Sequence, residues 1–233
     1  MLSRAKRRSG IAFCKIMELL NWKPNTIFQV GVGIYFGETI EFLKCWPDVK
    51  LIGFEPNSLI VETVKDEYPG TILPYAISNK NGSCTLYNKK KHKDGSSLFK
   101  HLKHHDIEKY GEEQVEVKLL DSLFPNPERY GDIVLWLDCE GSELDVLEGS
   151  ENFVKYVGVI NVEMTAKPML ENQCDTVSLH NRITDLGYKK QWIHTQRSSQ
   201  GQYDSIYVKD NLFDPEHCCC PFTIEKYRKN KES

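Results

Sequence analysis

The chain has 233 residues, 40% apolar, 27% charged and 11% aromatic, with a formal net charge of −3. That length suits one domain with a sizeable core, and 15 Gly with 10 Pro exclude collagen-like and low-complexity classes. Mild acidity argues against a protein that coats nucleic acid, and the Val/Ile/Leu/Phe runs between 130 and 164 argue against disorder.

The N-terminus is basic (Arg4, Lys6, Arg7, Arg8) and is followed by Ile11–Leu20. Lys15 and Glu18 interrupt that stretch and it lacks a small-residue cleavage site, so an amphipathic helix is expected rather than a signal peptide. No run approaches ~20 uninterrupted apolar residues, so no membrane span is expected. Thr26–Val30 reads as a buried strand that runs into a turn at Gly31. Glu38–Trp46 has helical spacing and stops at Pro47; Lys50–Phe54 is a second strand, ending at Glu55. Asn57 can cap a helix over Ser58–Tyr68, and Thr71–Ala76 is a third strand.

The rhythm then changes. After a turn at Asn81-Gly82, short strands are expected at Ser83–Tyr87 and Gln114–Leu119, making 79–125 an excursion or lid on the main sheet. Alternation resumes with strand Asp132–Leu137, helix Ser142–Phe153, strand Val157–Val162 and helix Asp175–Leu186. Tyr188–His194 and Gln202–Lys209 read as a closing antiparallel hairpin. This pattern implies an α/β fold with a parallel sheet covered on both faces, whose ligands bind outside the carboxyl ends of the strands. The division expected is 1–25 as a basic helix, 26–210 as the domain and 211–233 as a polar tail.

Charge and cysteine are unevenly placed. Residues 89–105 hold six Lys, one Asp and four His, so this segment carries +5 and leaves −8 for the rest of the chain. Such a run is a solvated face or a rim that meets an anionic ligand. His101 and His105 would share a face if that stretch were helical, yet no metal site is assigned. The eight cysteines (14, 45, 84, 139, 174, 218, 219, 220) include no CxxC pair, and they fit reduced thiols in a cytoplasmic protein.

Residues at the strand ends carry the chemistry. Gly31, Gly33 and Gly37 form a GxGxxxG turn where backbone can approach a ligand, a spacing that differs from the GxGxxG of dinucleotide binders. Glu55 lies 22 residues after Gly33, where an acid can accept hydrogen bonds from ribose hydroxyls. Together they suggest an adenosine-containing cofactor. Asp138 ends an apolar strand, Glu140 follows in the turn, and Glu163 repeats the arrangement one strand later. Helix-dipole stabilisation explains Glu140 or Glu143 better than it explains Asp138.

At this point LWLDCEGSELDVLEGS (135–150) resembles the FkbM family of S-adenosylmethionine-dependent methyltransferases, whose text is close to LKIDVEGAELEVLKGA. QVGVGIYFGET (29–39), GFEPNSL (53–59), PYAISNKNGSCTLY (74–87), GSSL (95–98), VEVKLLDSL (115–123) and INVEM (160–164) resemble further family blocks in the same order. The resemblance implies a Rossmann-like class I methyltransferase, with a mostly parallel seven-stranded sheet, a terminal antiparallel hairpin and S-adenosylmethionine as cofactor. It implies that Gly31 and Gly33 approach the methionine portion, Glu55 holds the ribose, Ala76 and Ile77 line the adenine, and Asp138 borders the methyl group. Ser96 and Ser97 would close over cofactor or acceptor. The family's first-strand acid is replaced by Gln29, which can still donate to a carboxylate, and Tyr35 stands where a glycine is usual.

The implied reaction is methyl transfer to a hydroxyl oxygen of a sugar, glycan or secondary metabolite. Asp138 is the first candidate for base or orienting group, with Glu140 and Glu163 behind it. The basic segment makes an anionic small-molecule or glycan acceptor worth testing. Three acids together could also hold a divalent cation, but none is assigned. Three rival readings are a nicotinamide-dependent oxidoreductase, a nucleic-acid 2′-O-methyltransferase and a non-catalytic nucleotide-binding module. The second is disfavoured because no Lys falls at the sheet end between the two acids.

Overall fold

The computed structural model describes residues 4–89, 95–102, 110–195 and 201–218. Most of the basic run, with His104 and His105, and Cys219 and Cys220 lie outside these residues. In chain order the elements are α1 (Arg4–Leu19), β1 (Thr26–Val30), α2 (Gly37–Cys45), β2 (Lys50–Phe54) and α3 (Ser58–Val64). Then come β3 (Thr71–Leu73), β4 (Ala76–Ile77), β5 (Gly82–Lys89), β6 (Tyr110–Lys118) and α4 (Leu120–Leu123). The chain continues with β7 (Ile133–Leu137), α5 (Glu143–Glu148), β8 (Val157–Thr165), α6 (Thr176–Asp185), β9 (Tyr188–Thr195) and β10 (Gln202–Lys209).

Seven strands form one sheet in the order β3-β2-β1-β7-β8-β10-β9. All pair in parallel except β10, which is antiparallel to both β8 and β9. Two apolar clusters explain why the strands are hydrophobic throughout. Phe28, Leu135, Leu137, Ile160 and Val162 pack on one face with Leu147, Phe153 and Ile183. On the other face Ile27, Val134, Trp136 and Val159 pack with Phe13 and Met17 of α1 and Phe42 of α2. Strands buried on both faces lose the polar alternation of a half-exposed sheet, and each large side chain buried contributes about 1.5–3 kcal/mol.

Where the elements differ from the sequence expectation, local chemistry supplies the reason. The third strand divides at Pro74, which has no N–H to donate. Thr71–Leu73 stays on the main sheet, whereas Ala76–Ile77 pairs with Val117 and Lys118 in a small sheet ordered β4-β6-β5. The helix after β7 ends at Glu148, and Gly149 at its cap packs so closely on the Ser78 carbonyl that a side chain there would overlap it. Phe153–Tyr156 is a separate 3-10 turn, and α1 begins at Arg4 rather than Ile11.

The register sets up the site. Val30 is abreast of both Phe54 and Leu137, and Leu137 is abreast of Val162. Gly31, Glu55 and Asp138 therefore follow their strands at one edge, the carboxyl end of the parallel strands, and Glu163 of β8 comes one residue after Val162 at the same level.

Candidate active site

Two adjoining cavities occupy this edge. The first, about 880 Å³, is bounded by Gly31, Gly33 and Glu55 on one side and by Ala76, Ile77 and Leu86 on another. Asp138, Glu140 and Glu163 close its third wall. The second, about 890 Å³, is lined by Tyr87, Phe99, Met169 and Leu170 together with Glu143, Gln173 and His101. Gly95, Glu140, Glu163 and Gln202 belong to both, so the acids stand at the seam.

The glycine turn is shaped by close backbone approach. Gly31 has φ +89°, donates to the Phe54 carbonyl at 3.0 Å, and leaves no room for a Cβ beside the Asp138 carbonyl. Gly33 (φ +65°) donates its N–H to Glu55 Oε2 at 2.9 Å, and the Asn57 N–H donates to Glu55 Oε1 at 2.9 Å. These bonds fix the Glu55 carboxylate at the cavity wall. Asn57 caps α3, its Oδ1 accepting from Leu59 and Ile60 N–H. Its Nδ2 donates to Asn88 Oδ1 and Ser96 Oγ, both at 3.1 Å, which ties the 95–98 segment to the cavity rim.

Gln29 departs from the expectation that it reaches the cofactor. Its side chain is fully buried away from both cavities: Nε2 donates to Glu38 Oε1 at 2.7 Å, while Oε1 accepts from Thr39 Oγ1 and Tyr68 Oη. With three bonds made inside the protein, little capacity remains for a ligand. Ser97 lines the second cavity rather than the first, its Oγ donating to the Glu140 carbonyl at 2.7 Å; Ser96 lines the first. Gly31, Gly33, Glu55, Ala76, Ile77, Asp138, Glu140 and Glu163 are brought together.

The acidic group is built by a strained turn. Glu140 sits at φ +51° and Gly141 at φ +103°, and a non-glycine residue there costs of order 1 kcal/mol. Glu143, only 4% exposed, holds this turn: its Oε1 accepts from Gly141 N–H at 3.1 Å and Cys139 N–H at 3.3 Å. Carboxylate oxygens of Asp138, Glu140 and Glu163 lie within 4.8 Å of one another, a spacing that could also hold a divalent cation.

Burial, reinforced by Asp138, Glu140, Asp204 and Glu143, pushes the Glu163 carboxyl well above the usual range. Glu143 is raised to about 7, by burial first and then by Asp138 and Glu140, against the lowering effect of its backbone hydrogen bonds. Gln202 Nε2 donates to Glu163 Oε2 at 3.2 Å. Across the β8–β10 pair Asp204 stands opposite Glu163 and accepts from Ser9 Oγ of α1 at 2.6 Å.

Sequence reasoning missed Gln202 and the second cavity's Gln173, Met169 and Leu170. No local signal marks them: Gln202 meets Glu163 only through strand pairing across 39 residues. Asn57 was legible as a cap but not as the tie to Ser96. The described part of the basic segment gives Lys100, whose Nζ lies 5.5 Å from the centre of the Tyr87 ring, a residue that lines the second cavity.

A family model described as the methyltransferase FkbM domain matches residues 29–190. Magnesium protoporphyrin IX methyltransferase from Synechocystis PCC 6803 with bound SAM has a similar fold, with TM-score 0.51 and 8% identity over 88% of this chain and 78% of that one. The plantazolicin methyltransferase BpumL, in complex with a triazolic desmethylPZN analog and SAH, gives TM-score 0.50 and 11% identity over 89% and 86%. At such identities these likenesses concern the fold, that of class I S-adenosylmethionine-dependent methyltransferases. No curated protein sequence matches the chain.

Proposed function

Because the chain belongs to the FkbM methyltransferase family, with S-adenosylmethionine as its cofactor, we propose that it transfers the methyl group to a hydroxyl oxygen of a small polyhydroxylated acceptor such as a sugar or secondary metabolite. The observation that carries this reading is the acidic seam: Glu140 and Glu163 line both the cavity that suits a nucleoside and the cavity beside it. The first cavity fits the cofactor through its own donor set. Glu55 presents a fixed carboxylate to the ribose hydroxyls, Ala76, Ile77 and Leu86 offer an apolar slot for the base, and Gly31 and Gly33 admit close approach of the amino-acid end.

When bound, S-adenosylmethionine supplies an already activated methyl group, so the protein's task is alignment of the nucleophile and exclusion of water. Tyr87 and Phe99 give the second cavity flat apolar faces, while Gln173 and Gln202 give it amide donors and acceptors. An acceptor hydroxyl that reaches past the seam into the first cavity meets Asp138, which takes the proton or fixes the hydroxyl's lone pair toward the methyl group. Glu163, held above the ordinary carboxyl range by burial and the neighbouring acids, shares that proton, so the seam does not carry every negative charge at once. An anionic group on the acceptor is accommodated at the Lys100 end, away from the acids.

The test separates binding from turnover. Asp138→Asn retains cofactor affinity within about threefold and loses methyl transfer by roughly 100-fold or more, the usual contribution of a general base. Radiolabelled transfer to a panel of hydroxylated acceptors, with calorimetry on the same samples, measures both. Full transfer by Asp138→Asn on an accepted hydroxyl removes Asp138 from the role.

A further inference from the structure

The face of the protein away from the active-site edge carries two thiols on different helices. Cys14 lies midway along α1 and is 7% exposed; Cys45 is the last residue of α2 and is exposed. The Cys14 thiol donates to the Glu41 carbonyl of α2 at 3.7 Å, and Cys45 follows Glu41 by one helical turn on the same side of α2. Both line one open groove of about 920 Å³ between the helices, walled by Ile11, Trp22 and Trp46, so a small reagent reaches the pair from solvent. The other described cysteines, at 84, 139, 174 and 218, sit on other parts of the chain, and all six are free thiols.

We propose that Cys14 and Cys45 are a disulfide-forming site that staples the N-terminal helix to α2 when the protein meets an oxidised small-molecule disulfide such as glutathione disulfide. The exposed Cys45 thiolate attacks one sulfur of the oxidant, forming a mixed disulfide and expelling one glutathione thiolate. Cys14, deprotonated in turn, attacks Sγ of Cys45 and expels the second. Two protein thiols become one disulfide, two electrons reduce the oxidant, and the two protons end on the two glutathione thiols. Burial, then the Cys45 thiol and the Glu41 carboxylate, push the Cys14 thiol up, which makes Cys45 the first to react.

The link joins a helix outside the family-matched residues 29–190 to the helix that follows the cofactor turn. Gly10 of α1 already packs on the Glu38 backbone in the first turn of α2, so fixing the two helices also fixes the support beneath Gly31 and Gly33.

The experiment treats the full chain with glutathione disulfide at mildly alkaline pH, alkylates the remaining thiols and maps the peptides without reduction. The expected result is a Cys14–Cys45 peptide, a mass loss of two hydrogens, and a melting temperature raised by roughly 7–15 °C over the reduced protein, as closure of a loop of this length suggests. Cys14→Ser stops at a glutathione adduct on Cys45, and Cys45→Ser forms neither product. The proposal is overturned if both thiols are alkylated after oxidation or if the link joins other cysteines. A linked protein that melts no higher than the reduced one overturns the stapling.

Discussion

A carboxylate at 4% exposure beside two others persists only where something compensates, and at Glu143 the compensation is two backbone N–H groups of the strained turn. Its carboxyl is raised from 4.5 to about 7, so between these values the folded chain holds a proton that the unfolded chain releases. The resulting stability is fully present below pH 4.5 and is lost as pH rises through about 7, a swing of about 3 kcal/mol at most. Glu143→Gln keeps an acceptor oxygen without the titration. Its melting temperature relative to wild type should therefore climb between pH 5 and pH 7.5 in calorimetric scans, whereas a difference that is flat with pH contradicts this assignment. Glu143→Ala leaves the Cys139 and Gly141 N–H groups unpaired, each costing about 1–3 kcal/mol, and should lower transfer more than cofactor affinity. Glu55, Asp138 and Glu163 were legible in the sequence because each ends an apolar run. Gln29 misled because a side chain in β1 can serve the interior knot with Glu38, Thr39 and Tyr68 as readily as a ligand.

Short elements position those residues, and α3 shows how much rests on one cap. Asn57 satisfies two N–H groups at the helix start and bonds across the cavity rim to Asn88 and Ser96. Asn57→Ala should cost about 1 kcal/mol for the cap, lowering the melting temperature by roughly 2–4 °C. It should also weaken the cofactor by freeing the 95–98 segment, which calorimetry detects. Unchanged affinity in a destabilised variant would confine Asn57 to the cap. Most strand and helix positions were readable from apolar runs and stop residues. The break at Pro74 ends a ladder for want of a donor, and the stop of α5 before Gly149, which packs on Ser78 far away in sequence, has no periodic signal. The 3-10 turn at Pro127–Tyr130 carried no periodic signal.

At the scale of the whole molecule, the alternation of strand and helix announced a doubly covered parallel sheet, and the terminal hairpin announced its antiparallel strands. What the sequence leaves unstated is the pairing of β4 with β6, which turns the 79–125 excursion into a second small sheet beside the first cavity. The same holds for β10, which brings Gln202 and Asp204 to Glu163 and links the acidic seam to Ser9 of α1. Among the described residues no helix is long and apolar enough to cross a membrane. On the proposed reading, the cavity held by Gly33 and Glu55 takes the nucleoside of S-adenosylmethionine while the acids beyond it act on the acceptor. Calorimetric titration of S-adenosylhomocysteine into wild type, Glu55→Ala and Asp138→Asn tests this most directly. Wild type and Asp138→Asn should bind alike, and Glu55→Ala should bind roughly 10- to 100-fold more weakly, as loss of charged hydrogen bonds implies. Absence of binding to wild type, or undiminished binding to Glu55→Ala, would contradict it.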